Sequence, residues 1–193
     1  MKTLFVGIFA MLITSVAMAS GNLKVNMADS ESDATVMKIS NSEMVNYEIE
    51  LHDAWGNQIY EMNTEIPRSE INKRYDFSNL ENGTYWYSVK TGDEEIRKQL
   101  SINYGEVEVV DVRKTVDPYF HQEGDQVKFT YLNYESENII LYVYDNNTLL
   151  EEVNLGKDFT IHKMVNLSDL NAGEYDIVLT NEYDIYEHSV VID

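Results

Sequence analysis

Two β-sandwiches in tandem are predicted by three observations. A Leu-x-x-Gly-x-Tyr motif occurs twice, as Leu80-Glu81-Asn82-Gly83-Thr84-Tyr85 and again as Leu170-Asn171-Ala172-Gly173-Glu174-Tyr175. Each copy stands just before an alternating segment, the setting of a tyrosine corner, where the ring enters the core and its hydroxyl ties back to the upstream backbone. Apolar and polar residues alternate at period two along most of the chain, and helical periodicity is nearly absent. Each half holds about seven such segments separated by polar turns. The fold class is therefore all-β: two tandem immunoglobulin- or fibronectin-III-like sandwiches.

Residues 1–19 stand apart from these repeats. Lys2 gives a basic start, Leu4 to Ile13 a short apolar run, and Ala17-Met18-Ala19 the small-x-small pattern of signal-peptide cleavage before Ser20. The run is too short to span a bilayer comfortably. The expected division is a leader at 1–19, a first sandwich at 20–104 and a second at 105–193. With no cysteine in the chain, neither disulfides nor a cysteine-linked lipid can support it, so each sandwich must rely on core burial.

In the first half, strands are expected near Leu23–Met27, Thr35–Ile39, Tyr47–Leu51, Gln58–Met62, Ile71–Phe77, Thr84–Lys90 and Ile96–Ile102. In the second they are expected near Val107–Val112, Val127–Leu132, Ile139–Tyr144, Leu149–Val153, Phe159–Val165, Glu174–Thr180 and Tyr186–Ile192. Asp53-Ala54-Trp55-Gly56-Asn57 reads as a turn closed by a left-handed glycine, and Asp145-Asn146-Asn147 takes the matching place. Thr91-Gly92-Asp93 and Asn181-Glu182-Tyr183-Asp184 read as the last hairpin of each half. Tyr104-Gly105 reads as the junction that opens the second repeat.

Period two then sorts the faces. Tyr85, Tyr87 and Val89 point inward, leaving Thr84, Trp86 and Ser88 outside. Tyr175, Ile177 and Leu179 point inward, leaving Glu174, Asp176 and Val178 outside. Tyr47, Ile49 and Leu51 match Ile139, Leu141 and Val143 as core. Their outward neighbours differ: Glu48, Glu50 and His52 in the first half, Ile140, Tyr142 and Tyr144 in the second.

Without Lys2 and the rest of the leader, 13 basic residues face 34 acidic ones, a net charge of −21. The first half, 20–104, carries 8 against 15 and the second, 105–193, carries 5 against 19, giving −7 and −14. Such a field repels phosphate backbones and anionic lipid, so neither nucleic acid nor membrane insertion after leader cleavage is expected.

Several stretches carry a family resemblance. In the first half they are Tyr47-Glu48-Ile49-Glu50-Leu51-His52-Asp53-Ala54-Trp55-Gly56-Asn57-Gln58-Ile59, Tyr75-Asp76-Phe77-Ser78-Asn79-Leu80-Glu81-Asn82-Gly83-Thr84-Tyr85, Val89-Lys90-Thr91-Gly92 and Lys98-Gln99-Leu100-Ser101-Ile102. In the second they are Leu167-Ser168-Asp169-Leu170-Asn171-Ala172-Gly173-Glu174-Tyr175 and the final strand. These resemble the immunoglobulin-like carboxy-terminal sorting domain of Bacteroidota proteins exported by the type IX route. The resemblance implies the fold and an exported address: periplasm, cell surface or medium.

Residues of chemistry are sparse. The sequence holds no phosphate loop, nucleophile elbow, zinc signature or EF-hand loop. His52, His121, His162 and His188 are scattered, without the convergent spacing a metal site needs. Asp29-Ser30-Glu31-Ser32-Asp33 and Asp93-Glu94-Glu95 gather carboxylates of the kind calcium uses, yet both fall at strand connections, where solvated acids are ordinary. The expectation is a protein with no cofactor, no metal and no enzymatic activity. Binding falls instead to outward aromatics: Tyr142 and Tyr144 as anchors, Ile140 and Val178 around them, and Trp86 on the first half. The chain is expected to act as a structural or protein-binding component of the bacterial envelope, its partner an envelope or cell-surface protein. Glycan stacking on Trp86 or Trp55, and a sorting or surface-anchoring role, are the alternatives.

Overall fold

A computed structural model describes residues 8–10, 22–29 and 34–193. It is all-β, as expected, with sixteen strands and no helix among the described residues. Its compact units divide between Val116 and Asp117.

The strands, in chain order, begin with β1 (Ile8–Ala10), β2 (Lys24–Asp29), β3 (Thr35–Val45) and β4 (Glu48–Asp53). Next come β5 (Gln58–Asn63), β6 (Arg68–Tyr75), β7 (Gly83–Thr91), β8 (Glu94–Asn103) and β9 (Glu106–Val116). The first unit stacks a three-stranded sheet, β2-β3-β6, on a five-stranded one, β5-β4-β7-β8-β9. Alternation places Met37, Ile39, Tyr47, Ile49, Tyr87, Val89 and Leu100 in one fully buried cluster between them. Tyr75 anchors an aromatic nest within it: its ring packs edge-on against Tyr60 and Tyr87, and its hydroxyl lies 3.2 Å from that of Tyr87.

Strands of the second unit are β10 (Tyr119–Glu123), β11 (Gln126–Leu132), β12 (Ile139–Asp145), β13 (Thr148–Gly156), β14 (Thr160–Asn166), β15 (Gly173–Thr180) and β16 (Ile185–Ile192). They form the sheets β1-β14-β11-β10 and β13-β12-β15-β16. Leaving β1 and β9 aside, both units have the same strand order. Val127, Leu141, Val143, Val165, Leu167, Ile177 and Leu179 fill the second core.

Both Leu-x-x-Gly-x-Tyr copies are tyrosine corners. Tyr85 donates its hydroxyl to the carbonyl of Glu81, and Tyr175 donates to that of Asn171, each at 2.9 Å. Leu80 and Leu170 pack against the respective cores from the same turn. Each corner thus ties the connection that crosses between sheets to the strand that follows it.

Two expectations are corrected. The strand expected to open the second domain, Val107–Val112, is β9, and it pairs along the whole of β8 in the first unit. Tyr104 and Gly105 have φ of 50° and 85°, the two left-handed residues of a tight hairpin. They reverse the chain where a junction was expected, so the boundary lies after residue 116, not after 104. The first strand of the second unit is instead β10, in a stretch read as a loop. Of the expected leader, only Ile8–Ala10 lies among the described residues, where it pairs antiparallel with β14. The rest of it, and the Ser30–Asp33 part of the first acidic cluster, lie outside the described residues.

Candidate functional site

The sheet β13-β12-β15-β16 presents Ile140, Tyr142 and Tyr144 outward, because Ile139, Leu141 and Val143 are consumed by the core. Cross-strand register sets their neighbours. Tyr142 lies opposite Val178 on one side and Glu152 on the other. Tyr144 lies opposite Asp176 and Leu149, and Ile140 opposite Thr180 and Asn154. The two tyrosine rings are 6.1 Å apart, and both side chains are half-buried by their neighbours on the pleat. Four of the five expected binding residues therefore share one face.

That face is larger than the sequence reading made it. Leu149, Ile185 and Val191 stand on it and are exposed. Ile185 and Val191 were detectable from the alternation Ile185, Glu187, Ser189, Val191 along β16. Leu149 was not, because β13 is bulged between its pairings with Val143 and Tyr144, which shifts its phase by one residue. Carboxylates border the apolar stripe: Glu152, Asp176 and Glu187 all lie in register with it. Asp176 accepts a hydrogen bond from the Ser189 hydroxyl at 2.7 Å.

Trp86, the fifth residue, belongs to the other unit. It sits half-buried on β7 between His52 and Gln99. Around it the outer face is polar and paired: Arg97 donates from Nε and Nη2 to the two carboxylate oxygens of Glu95 at 2.7 and 2.8 Å, and Arg113 lies 3.3 Å from Asp111. Trp55 is 83% exposed at the turn between β4 and β5. Asp53 Oδ1 accepts the backbone N–H of Trp55 and of Asn57 there, both at 2.9 Å. The side-chain bond from Asn57, followed by these backbone bonds, holds the Asp53 carboxyl below its ordinary range.

Two of the acids weighed for calcium, Glu94 and Glu95, have other duties. Glu94 Oε2 accepts the N–H groups of Asn22 and Leu23 at 3.0 and 3.2 Å, tying the entry of β2 to β8. Glu95 is the partner of Arg97. The histidines are equally dispersed. His162 Nδ1 lies 2.8 Å from the Thr130 hydroxyl, and His188 stacks on Phe120 at 4.6 Å. Among the described residues, no group of three or more His, Asp or Glu side chains converges as a metal site would.

Residues 31–103 match the family described as the secretion system C-terminal sorting domain. The match ends with the last residue of β8, so it takes in β3 to β8 and omits β9 and the second unit. Among solved structures, the chain is similar to the BSP domain of a biofilm-associated protein, with 14% identity and a TM-score of 0.29. That likeness covers 88% of this chain and 29% of the other. A two-domain fibronectin type III segment of chicken tenascin is 10% identical with a TM-score of 0.26, over 90% of this chain and 99% of that one. No curated protein matches. No helix among the described residues is long and apolar enough to cross a membrane. A secretion sorting domain implies export to the cell surface or beyond. Residues 31–103 are thus similar to the secretion-system C-terminal sorting domain, and the strands β3 to β8 within them form most of the first unit's immunoglobulin-like β-sandwich.

Proposed function

We propose that the chain is an exported, non-catalytic tandem sandwich protein of the bacterial envelope, whose second unit holds a protein partner on the outer face of β12 and β15. In this reading residues 1–19 are an export leader removed on secretion. One observation carries it: Tyr142 and Tyr144 stand side by side beside Ile140 and Val178, on a sheet whose inner residues are locked in the core. Tyrosine on a rigid strand offers a large amphipathic contact with little entropy to lose. Ile140, Val178, Leu149 and Ile185 would exclude water around the two rings.

A photo-crosslinking residue placed at Tyr142 in living cells is expected to trap a discrete envelope protein. The same residue at Glu48, on the matching strand of the first unit, is expected to trap none. Tyr142→Ala with Tyr144→Ala should fold normally and lose at least about tenfold in affinity for the trapped partner. Unchanged affinity in that folded double variant would remove the face from consideration.

Two other readings each have an observation behind them. The exposure of Trp55 on a hydrogen-bonded turn favours glycan stacking, with Trp86 as a more shielded alternative. A glycan array that is positive for the wild type and blank for Trp55→Ala would support it. The match over residues 31–103 favours sorting or anchoring. Residues 20–116 fused behind a reporter should then deliver that reporter to the surface, and a reporter that stays in the periplasm would end that reading.

A further inference from the structure

We propose that the edge of β14 now covered by β1 is an acceptor site for an extended, uncharged apolar strand of a protein partner. The site opens only if residues 1–19 are a leader removed on secretion, as the proposed function holds. In the intact chain the edge is filled: Ile8, Phe9 and Ala10 pair antiparallel with Val165, Met164 and Lys163. On its other side β14 pairs with β11 from Thr160 to Asn166. Among the described residues no other strand borders β14. Cleavage before Ser20 would take β1 away and leave one row of β14 backbone N–H and C=O groups unpaired.

β14 lacks the features that guard an exposed edge. Thr160-Ile161-His162-Lys163-Met164-Val165-Asn166 holds a single lysine and no acid. Ile161 and Val165 are buried, so the core of this unit reaches the strand that cleavage would uncover. The matching strand of the first unit, β6, ends its sheet with no strand beyond it among the described residues. It carries Arg68, Glu70, Lys73 and Arg74 within its eight residues, the charged pattern by which natural sheets block edge pairing. One edge is guarded by its own sequence; the other is covered by a borrowed strand.

The seated segment defines the occupant. Ile8-Phe9-Ala10 is apolar and uncharged, and its register sets a small residue, Ala10, opposite Lys163. A partner strand of that kind would gain main-chain hydrogen bonds along the same edge. A second copy of this chain suits it poorly. Centred antiparallel pairing of β14 with itself would set Lys163 opposite Lys163, a like-charge pair that disfavours the ladder. The net charge of −14 on residues 105–193 would add repulsion between copies.

The test uses the chain as exported by its own cells and a synthetic peptide of residues 5–12, flanked by serine and glycine for solubility. Mass spectrometry first reads the N-terminus of the exported chain, expected at Ser20. The peptide should slow amide exchange across 160–166 of that chain by at least about tenfold. Because the chain has no cysteine, a Met164→Cys variant and a peptide carrying Phe9→Cys report the register as a disulfide. Glu70→Cys, at an exposed site on β6, should form no such adduct. Circular dichroism checks that both variants fold. The full 1–193 variant, kept in the cytoplasm with its leader, should react at least about tenfold more slowly, since the tethered strand competes. A peptide that also carries Ile8→Pro and Met11→Pro lacks donors on both sides of the strand and should lose about tenfold. An exported chain that still carries residues 1–19 ends the leader reading and the site with it. A chain that starts at Ser20 and neither gains protection nor forms the adduct overturns the acceptor site alone. So does an equal adduct at Glu70→Cys, which would mean unselective oxidation. Met164→Cys chains linked to one another would give the edge to a second copy and overturn the partner strand.

Discussion

On β4 the outward positions hold Glu48, Glu50 and His52; on β12, in the same place in the strand order, they hold Ile140, Tyr142 and Tyr144. Inward, the two strands are nearly interchangeable: Ile49 and Leu51 against Leu141 and Val143, all buried. The shared interior reflects what a sandwich requires, because inner residues must fill a space about 10 Å thick. Nothing in the fold demands apolar residues outside. In the proposed reading the tyrosine pair serves an external partner, whereas His52 and Glu50 at the matching positions pair with each other at 3.9 Å.

This contrast is broken most forcefully from the inside. Ile49→Ala and Leu141→Ala should each cost about 3 kcal/mol, since both leave a cavity in a closed core. The outward substitutions Glu50→Ala and Tyr142→Ala should each cost less than about 1 kcal/mol. Calorimetric melts resolve this directly. A Tyr142→Ala penalty as large as that of Leu141→Ala would show the tyrosine to be structural and dissolve the distinction between faces.

The next largest effect concerns the strand found in the first unit only on that unit's account. Gly105 has φ of 85°, and a Cβ there would sit 3.2 Å from Ser78 Cα. Gly105→Ala should cost roughly 2 kcal/mol, combining left-handed strain with close approach. The loss should fall on the first unit, read by hydrogen exchange in β8 and β9. Protection lost instead from β10 and β11 would return β9 to the second unit.

That strand also marks the limit of what the sequence reveals. Period two showed that 107–112 was a strand and which residues alternated, but alternation carries no information on which neighbour a strand pairs with. The hairpin was obscured because one of its two left-handed positions is Tyr104, a residue with no preference for that conformation, unlike the asparagine or aspartate that usually precedes such a glycine. Strand phase on β12 and β15 was legible, since each has a fully buried inner set that fixes the outer one. The contacts among the second unit's connections were not, because Asn133 meets Phe159, and Tyr131 meets Tyr186, only after the sheets have stacked.

Smaller effects separate the buried tyrosines of the two units by what their hydroxyls do. Tyr85→Phe and Tyr175→Phe each remove one hydrogen bond to an upstream carbonyl and should cost about 1 kcal/mol apiece. Tyr47 is as buried, but its hydroxyl has no hydrogen-bond partner among the described residues, and burial raises its pKa. Tyr47→Phe should therefore be neutral or slightly stabilising, because it deletes a desolvated polar atom that has no compensation. Denaturant titration of the three variants ranks them. Equal losses in all three would mean that the corners contribute only ring packing.

The smallest effect is a dependence on pH confined to the second unit. His188 stacks on Phe120, and burial lowers its pKa below the ordinary histidine value. The unfolded chain therefore takes up this proton first as the solution is acidified. The stability contributed by neutral His188 is fully present above about pH 6.5 and is lost as pH falls through the depressed folded value. General acidification works the other way in so acidic a chain, since protonating carboxylates relieves their mutual repulsion. The informative quantity is thus a difference: the melting temperature of the wild type minus that of His188→Gln, followed from pH 8 to pH 5. It should narrow steadily below about pH 6.5. A difference that is flat, or that widens on acidification, would mean that the stacked imidazole is solvated well enough to charge in place.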